Sequence, residues 1–215
     1  MIPESAVHSA VAILLALVAG ASSPGPSFVL VSRIAVSESR RNGVAAAAGM
    51  GLGGTVFGAL ALAGLAALLQ QAEGLYAVLK VIGGAYLLYL GYCVWTHAAE
   101  PLAVEEARGT SGSSVRAFWK AFIVQVSNPK TAAVYAGIFA SLLPALPPLW
   151  LLLVLPPLIF LVETTWYGVV AMVLSSSHPR AVYLGGKVVL DRIAGGLLAG
   201  LGASLIVEGI GGPRA

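Results

Sequence analysis

Residues Gly20–Arg33 read GASSPGPSFVLVSR, so two prolines, Pro24 and Pro26, with Gly25 between them, interrupt the first long apolar run of the chain. A second interruption, VSNPK at Val126–Lys130, falls inside another apolar run. Proline removes a backbone donor and clashes with the preceding turn, yet it is well tolerated as the first residue of a helix when Ser or Asn caps it. Ser23-Pro24 and Asn128-Pro129 both have that order. Each break is therefore expected to end one half-helix and start another, leaving backbone N–H groups and a partial positive charge at the new N-terminus.

The surroundings of these breaks are a lipid bilayer. Of the 215 residues, 58% are hydrophobic and 10% charged, against about 25% charged in a soluble domain, and the mean hydropathy is +0.91. Long Ala/Leu/Val runs, in place of alternating apolar and polar positions, indicate lipid-spanning helices and not barrel strands. At ~20 apolar residues per span, the segments are roughly 6–35 (interrupted), 44–69, 75–96, 118–143 (interrupted), 149–174 and 187–208. The fold expected is all-α and integral to the membrane, with six transmembrane helices in one membrane domain.

Other chemistries have little to work with. Cys93 is the sole cysteine, which excludes an internal disulfide and Cys-ligated metal sites. His8, His97 and His178 lie near helix ends or in loops, and no His-Glu-x-x-His motif is present. We expect no catalytic residues, no metal, no cofactor and no nucleic-acid partner.

The one longer connection, Thr96–Arg116, is rich in Gly, Ser and Glu and has no apolar face to bury. It divides the chain into residues 1–96, a linker 97–117 expected to be cytoplasmic and mobile, and residues 118–215. Arg33, Arg40 and Arg41, then Arg108, Arg116 and Lys120, then Arg180, Lys187 and Arg192 cluster at the first, third and fifth connections. The positive-inside rule makes those connections cytoplasmic and turns both termini outward. A signal peptide is the competing reading of the first run, but no Lys or Arg precedes it and Glu4 stands in the expected basic region.

Three helices per half make any likeness between the halves an inverted-topology repeat. Ser23-Pro24 matches Asn128-Pro129; Thr55, Phe57 and Gly58 match Thr165, Tyr167 and Gly168; Lys80 and Gly83-Gly84 match Arg192 and Gly195-Gly196. The interruptions thus fall in helices 1 and 4, near the midplane. In repeat-built transporters such paired breaks mark the substrate site, with the positive helix ends open to an anionic group. A packing kink is the competing explanation.

Two charges fall near mid-membrane, Lys130 in helix 4 and Glu163 in helix 5. Each costs ~2.5–3.5 kcal/mol to place there, which makes both functional candidates. They are expected to pair, with Glu163 open to a substrate ammonium or a proton, or else to form a static salt bridge. Ser22, Ser27, Gln125, Tyr135, Thr164, Thr165 and Tyr167 extend the same layer. Gly49/Gly53, Gly54/Gly58 and Gly196/Gly200 read as close helix packing. Trp95, Trp119 and Trp150 read as interface anchors, and Trp166 as a deeper side chain that could line a cavity.

SPGPSFVLV, SRRNG, GMGLGG, GGAYLLYLGY, FWKAFIVQVSNPK, VETTWY and RIAGGLLAGLG together resemble the LysE/RhtB amino-acid exporters over nearly the whole chain. The resemblance implies a six-helix carrier of the bacterial inner membrane that moves amino acids or close relatives outward in exchange for protons. It implies importance for Pro24, Gly25 and Pro26, for Asn128, Pro129 and Lys130, and for Glu163. Many members carry an aspartate in helix 2 where this chain has Gly54, and its absence favours a neutral over a cationic substrate.

The expected site is therefore Ser23, Pro24, Gly25, Pro26 and Ser27 with Asn128, Pro129 and Lys130 for the substrate carboxylate, and Glu163 for the ammonium or the coupling proton. The partners expected are a small amino-acid substrate, protons and lipid, with monomer or homodimer left open. A passive pore for small metabolites is the alternative.

Overall fold

The computed structural model describes residues 4–22, 25–69, 73–100, 112–144 and 146–211; among them all regular structure is helical. The first apolar segment is filled by two helices, α1 (Glu4–Ser22) and α2 (Pro26–Ser37), and the fourth by another two, α5 (Ser114–Val126) and α6 (Pro129–Leu142). The other segments are single helices: α3 (Arg40–Leu69), α4 (Glu73–Thr96), α7 (Leu149–Leu174) and α8 (Ser177–Ile210). Both interruptions thus fall where proline and its capping neighbours make continuous helix unfavourable.

Arg40–Gly64, Leu149–Leu174 and Gly185–Ile210 are long and apolar enough to cross a membrane on their own. Ala6–Ser22 and Pro26–Ser37, inclined at 61° to each other, qualify together as one broken span. Leu15, Leu60, Leu153 and Val207 are among the large apolar side chains turned outward. Such outward apolar faces suit a chain whose solvent is lipid.

The half-helices sort into two apolar cores. Ile13 and Leu17 of α1 pack with Ile138 and Phe139 of α6, and with Leu87 and Leu198 of α4 and α8. Phe28, Val31 and Ile34 of α2 pack with Ala117 and Ala121 of α5 in the other. The long helices α3 and α7 pass through both cores in opposite directions. Along α3, Met50 lies in the second core and Leu62 in the first; along α7, Ile159 lies in the first and Tyr167 in the second. Gly54 and Glu163 fall between, at the level of the two breaks.

The most extensive helix contact joins α4 to α8. A Cβ at Gly202 would stand 2.6 Å from Leu88 N, and one at Gly91 would stand 2.6 Å from Gly195 O. Backbone meets backbone there because no side chain intervenes. The small-residue prediction needs correction on α8: Gly195 and Gly202 make the contact, whereas Gly200 has open space and Gly196 meets only the edge of Trp95, at 3.7 Å. On α3, Gly49 and Gly53 do face α5, against Phe118 and Gln125.

At the end of the bundle where α3 starts and α7 finishes, buried Asn42 ties three segments together. Its Nδ2 donates to Glu38 Oε2 at 2.8 Å and to Gly112 O at 2.6 Å, while Ser114 Oγ donates to Asn42 Oδ1 at 2.8 Å. Arg40 reaches Ser175 and Ser176 at the same end. Residues 101–111 of the linker lie outside the described residues. Its final residues form the start of α5, with Ser113 as N-cap, so this helix begins at Ser114, earlier than the boundary at 118.

Candidate functional site

The start of α6 follows its sequence. Asn128 is the N-cap, its Oδ1 accepts from Lys130 N at 3.0 Å, and Pro129 is the first helical residue. The start of α2 differs from the expected Ser23-Pro24 order. This helix begins at Pro26, and the N-cap is Gly25, in extended conformation with no side-chain cap. Pro26, preorganised for the first helical position, holds the start two residues later. Ser23 and Pro24 themselves lie outside the described residues. In place of a side-chain cap, the α2 start has the Lys130 side chain beside it: a Cβ at Gly25 would stand 3.1 Å from Lys130 Nζ.

A continuous hydrogen-bond chain connects the two breaks. Asn128 Nδ2 donates to Ser27 Oγ at 3.0 Å, and Ser27 Oγ donates to Gln125 Oε1 at 2.5 Å. Gln125 Nε2 then donates to Glu163 Oε2 at 2.8 Å, and Tyr135 OH donates to Glu163 Oε1 at 2.7 Å. Ser27, Gln125, Asn128, Tyr135 and Glu163 are all buried, Glu163 being 4% exposed. Five side chains from four helices, α2, α5, α6 and α7, thus satisfy one another in a layer between the two apolar cores, as buried polar groups must.

Ser27, Gln125, Asn128, Lys130, Tyr135 and Glu163 line one cavity, with Leu17 and Gly20 of α1 on its wall. Its free volume is about 30 Å³, room for one or two waters and for no amino acid. Glycines on α3 make room for the polar layer. A Cβ at Gly53 would stand 2.6 Å from Gln125 Cβ, and one at Gly54 would stand 2.5 Å from Glu163 Cδ.

The expected pairing of Lys130 with Glu163 gives way to a different arrangement. Glu163 is held by Gln125 and Tyr135, and the acid that bears electrostatically on Lys130 is Asp191 of α8. Asp191 is 1% exposed and its Oδ2 lies 2.7 Å from Lys187 Nζ. Lys187 also donates to Ala98 O at 2.9 Å, just beyond α4. Sequence reading placed Lys187 beside a basic loop and passed over Asp191; the i,i+4 spacing of opposite charges in an apolar helix was the available signal. Trp166 lies outside the cavity lining, packs against the core around Phe28, and keeps a buried Nε1 without a hydrogen-bond partner. Among the described residues no cluster of His, Cys, Asp and Glu could hold a metal ion.

Outward apolar faces, two broken helices and a buried polar layer between them define a helical membrane protein with its polar chemistry turned inward. The chain belongs to the LysE type translocator family, whose model matches residues 18–209. It is therefore a transport protein and not an enzyme. The threonine efflux protein of Escherichia coli (strain K12) is 30% identical over 192 residues, 86% of this chain and 91% of its own. A membrane protein of the same strain, YahN, is 28% identical over 87% of this chain and 84% of its own. A Haemophilus influenzae membrane protein is 27% identical over 89% and 92%. No solved structure matches significantly.

Proposed function

We propose that this chain is a secondary exporter of amino acids or close derivatives, neutral in preference to cationic, that exchanges substrate for protons across the bacterial inner membrane. One observation carries the reading: both helix starts are joined by hydrogen bonds to a single buried carboxyl, Glu163. Membership of a translocator family and likeness to a threonine efflux protein support the substrate class.

In this reading the chain crosses the membrane six times, as two inverted three-helix repeats, residues 1–96 and 118–215, with both termini outside. The substrate carboxylate lies against the stretch Ser23–Ser27 and against Asn128–Lys130, where helix starts and the Lys130 ammonium supply positive charge. The substrate ammonium points toward Glu163. When Glu163 takes a proton the ammonium loses its counter-charge, so proton and substrate compete, which is what exchange requires. The two repeats rock to expose the site to each side in turn.

The small cavity supports a carrier over a passive pore, since a free volume of about 30 Å³ does not hold a metabolite. Flux into proteoliposomes tests both points. Saturable, gradient-dependent transport is expected of the wild-type protein, and Glu163→Gln is expected to abolish its dependence on the proton gradient. Wild-type behaviour of Glu163→Gln would remove the coupling role, and flux linear in substrate concentration would establish the pore.

A further inference from the structure

Gln125 stands between Ser27 and Glu163, with one end of its amide on each. A carboxylate can only accept hydrogen bonds, so the amide must turn its NH2 to Glu163 and its oxygen to Ser27. Ser27 must then spend its single hydrogen on Gln125, and since its oxygen also accepts from Asn128, one lone pair is left on the cavity side, where the Tyr167 hydroxyl stands. The arrangement is the one that an ionised Glu163 imposes.

A proton on Glu163 Oε2 reverses these demands. The new O–H needs an acceptor, which the amide supplies by turning its oxygen round. Its NH2 then faces Ser27 Oγ and donates to it. Ser27 Oγ, now accepting from both Gln125 and Asn128, must turn its own hydrogen into the cavity. A proton on Oε1 would instead make Tyr135 OH the acceptor and leave that buried hydroxyl's hydrogen without a partner, because Tyr135 has no hydrogen-bond acceptor but Glu163 among the described residues. Gly53 lets α3 pass close beside the Gln125 Cβ and Cγ, and the amide turns about the bond beyond them.

We propose that Gln125 is a positioning residue that makes the polarity of Ser27 report the protonation of Glu163: lone pair toward the cavity when Glu163 is ionised, hydrogen toward it when Glu163 is protonated. The inference rests on the exchange reading above and deepens it. With Glu163 ionised, Ser27 Oγ accepts from the substrate ammonium. With Glu163 protonated, the same atom presents a hydrogen to the ammonium and repels it, so proton uptake expels the substrate from a second point. One proton enters at Glu163, one amide rotates, and no other bond is made or broken covalently.

The titratable groups facing Glu163 are Tyr135 and Lys130 from α6 and Tyr167 on α7; α3 presents only Gly54, and α2 and α5 present Ser27 and Gln125. Asp191 of α8, paired with Lys187, bears on Lys130, and both lie outside the cavity lining. Glu163 is thus the one carboxyl of this lining among the described residues.

The test uses the full chain in proteoliposomes, with radiolabelled threonine as probe and two assays, gradient-driven accumulation and substrate-for-substrate counterflow, which needs no proton. Gln125→Met fills the same space but cannot turn a donor into an acceptor. Its accumulation is expected to fall about tenfold or more, with a loss in counterflow of less than about threefold, a split that mere loss of structure would not produce. Gln125→Leu, of similar size and equally unable to turn a donor into an acceptor, is expected to show the same split should Gln125→Met fail to fold. Accumulation at wild-type level, or equal loss in both assays for both variants, overturns the relay. Wild-type counterflow without any response to a proton gradient sinks the exchange reading itself, and the relay with it, before a variant is compared.

Discussion

Glu163 occupies the space that a side chain at Gly54 would fill: a Cβ there would stand 2.5 Å from its Cδ and 2.8 Å from its Oε1. The carboxyl of α7 reaches the layer between the two cores because α3 is bare backbone at that level. The aspartate that many resembling proteins carry in helix 2 could not stand at this position with Glu163 as it is placed.

Gly54→Ala is accordingly expected to displace Glu163 from Gln125 and Tyr135 while leaving the helix itself more favourable. Loss of a charge-assisted hydrogen bond is worth ~1.5–3 kcal/mol, or about ten- to a hundredfold. On the exporter reading, substrate transport in proteoliposomes should fall by that order in a protein that still purifies as a single folded species.

Tyr135→Phe removes one donor to Glu163 and leaves the ring packed edge-on to Phe139, at 5.8 Å between centroids. A melting temperature in detergent should drop by an amount equivalent to ~1–3 kcal/mol. Tyr167→Phe, which removes no hydrogen bond to Glu163, should drop less.

Asn128 has two separable tasks, capping α6 through Oδ1 and donating to Ser27 through Nδ2. Asn128→Ala should lose both and destabilise by at least the ~0.5–2 kcal/mol of a helix cap. Asn128→Ser retains an acceptor for Lys130 N but is too short to reach Ser27 as Nδ2 does, so most of the melting temperature should return while transport stays impaired.

The breaks, the two half-helix pairs and a carboxyl at Glu163 set within the helices were legible in the sequence, because proline leaves a local signature and a carboxyl in an apolar run stands out. The start of α2 was misplaced by two residues, since Ser-Pro and Gly-Pro both allow a helix to begin and only the packing beside Lys130 selects between them. Gln125 was one name among several polar neighbours. Its role depends on α2, α5 and α7 meeting at one level, and spacing along the chain does not encode that meeting. Asp191 was hidden for another reason: beside Lys187 and Arg192 it reads as part of a charged helix end, whereas the fold buries Lys187 with it and leaves Arg192 outside, over the Trp95 ring.

That buried pair gives a further prediction. Asp191→Asn leaves Lys187 buried without its counter-charge and should destabilise by ~3–5 kcal/mol, whereas Asp191→Leu combined with Lys187→Met should recover much of the loss. Thermal unfolding of the three proteins in one detergent checks the order.

The polar layer sealed between two apolar cores also has an electrical consequence. A passage standing open through the bilayer would let ions run down a potential worth about 2.3 kcal/mol per charge per 100 mV. A void of about 30 Å³ between two cores of packed side chains leaves no room for a wide water-filled passage of that kind. On the exchange reading proposed above, a cell could hold many copies without discharging the gradient that such exchange would draw on.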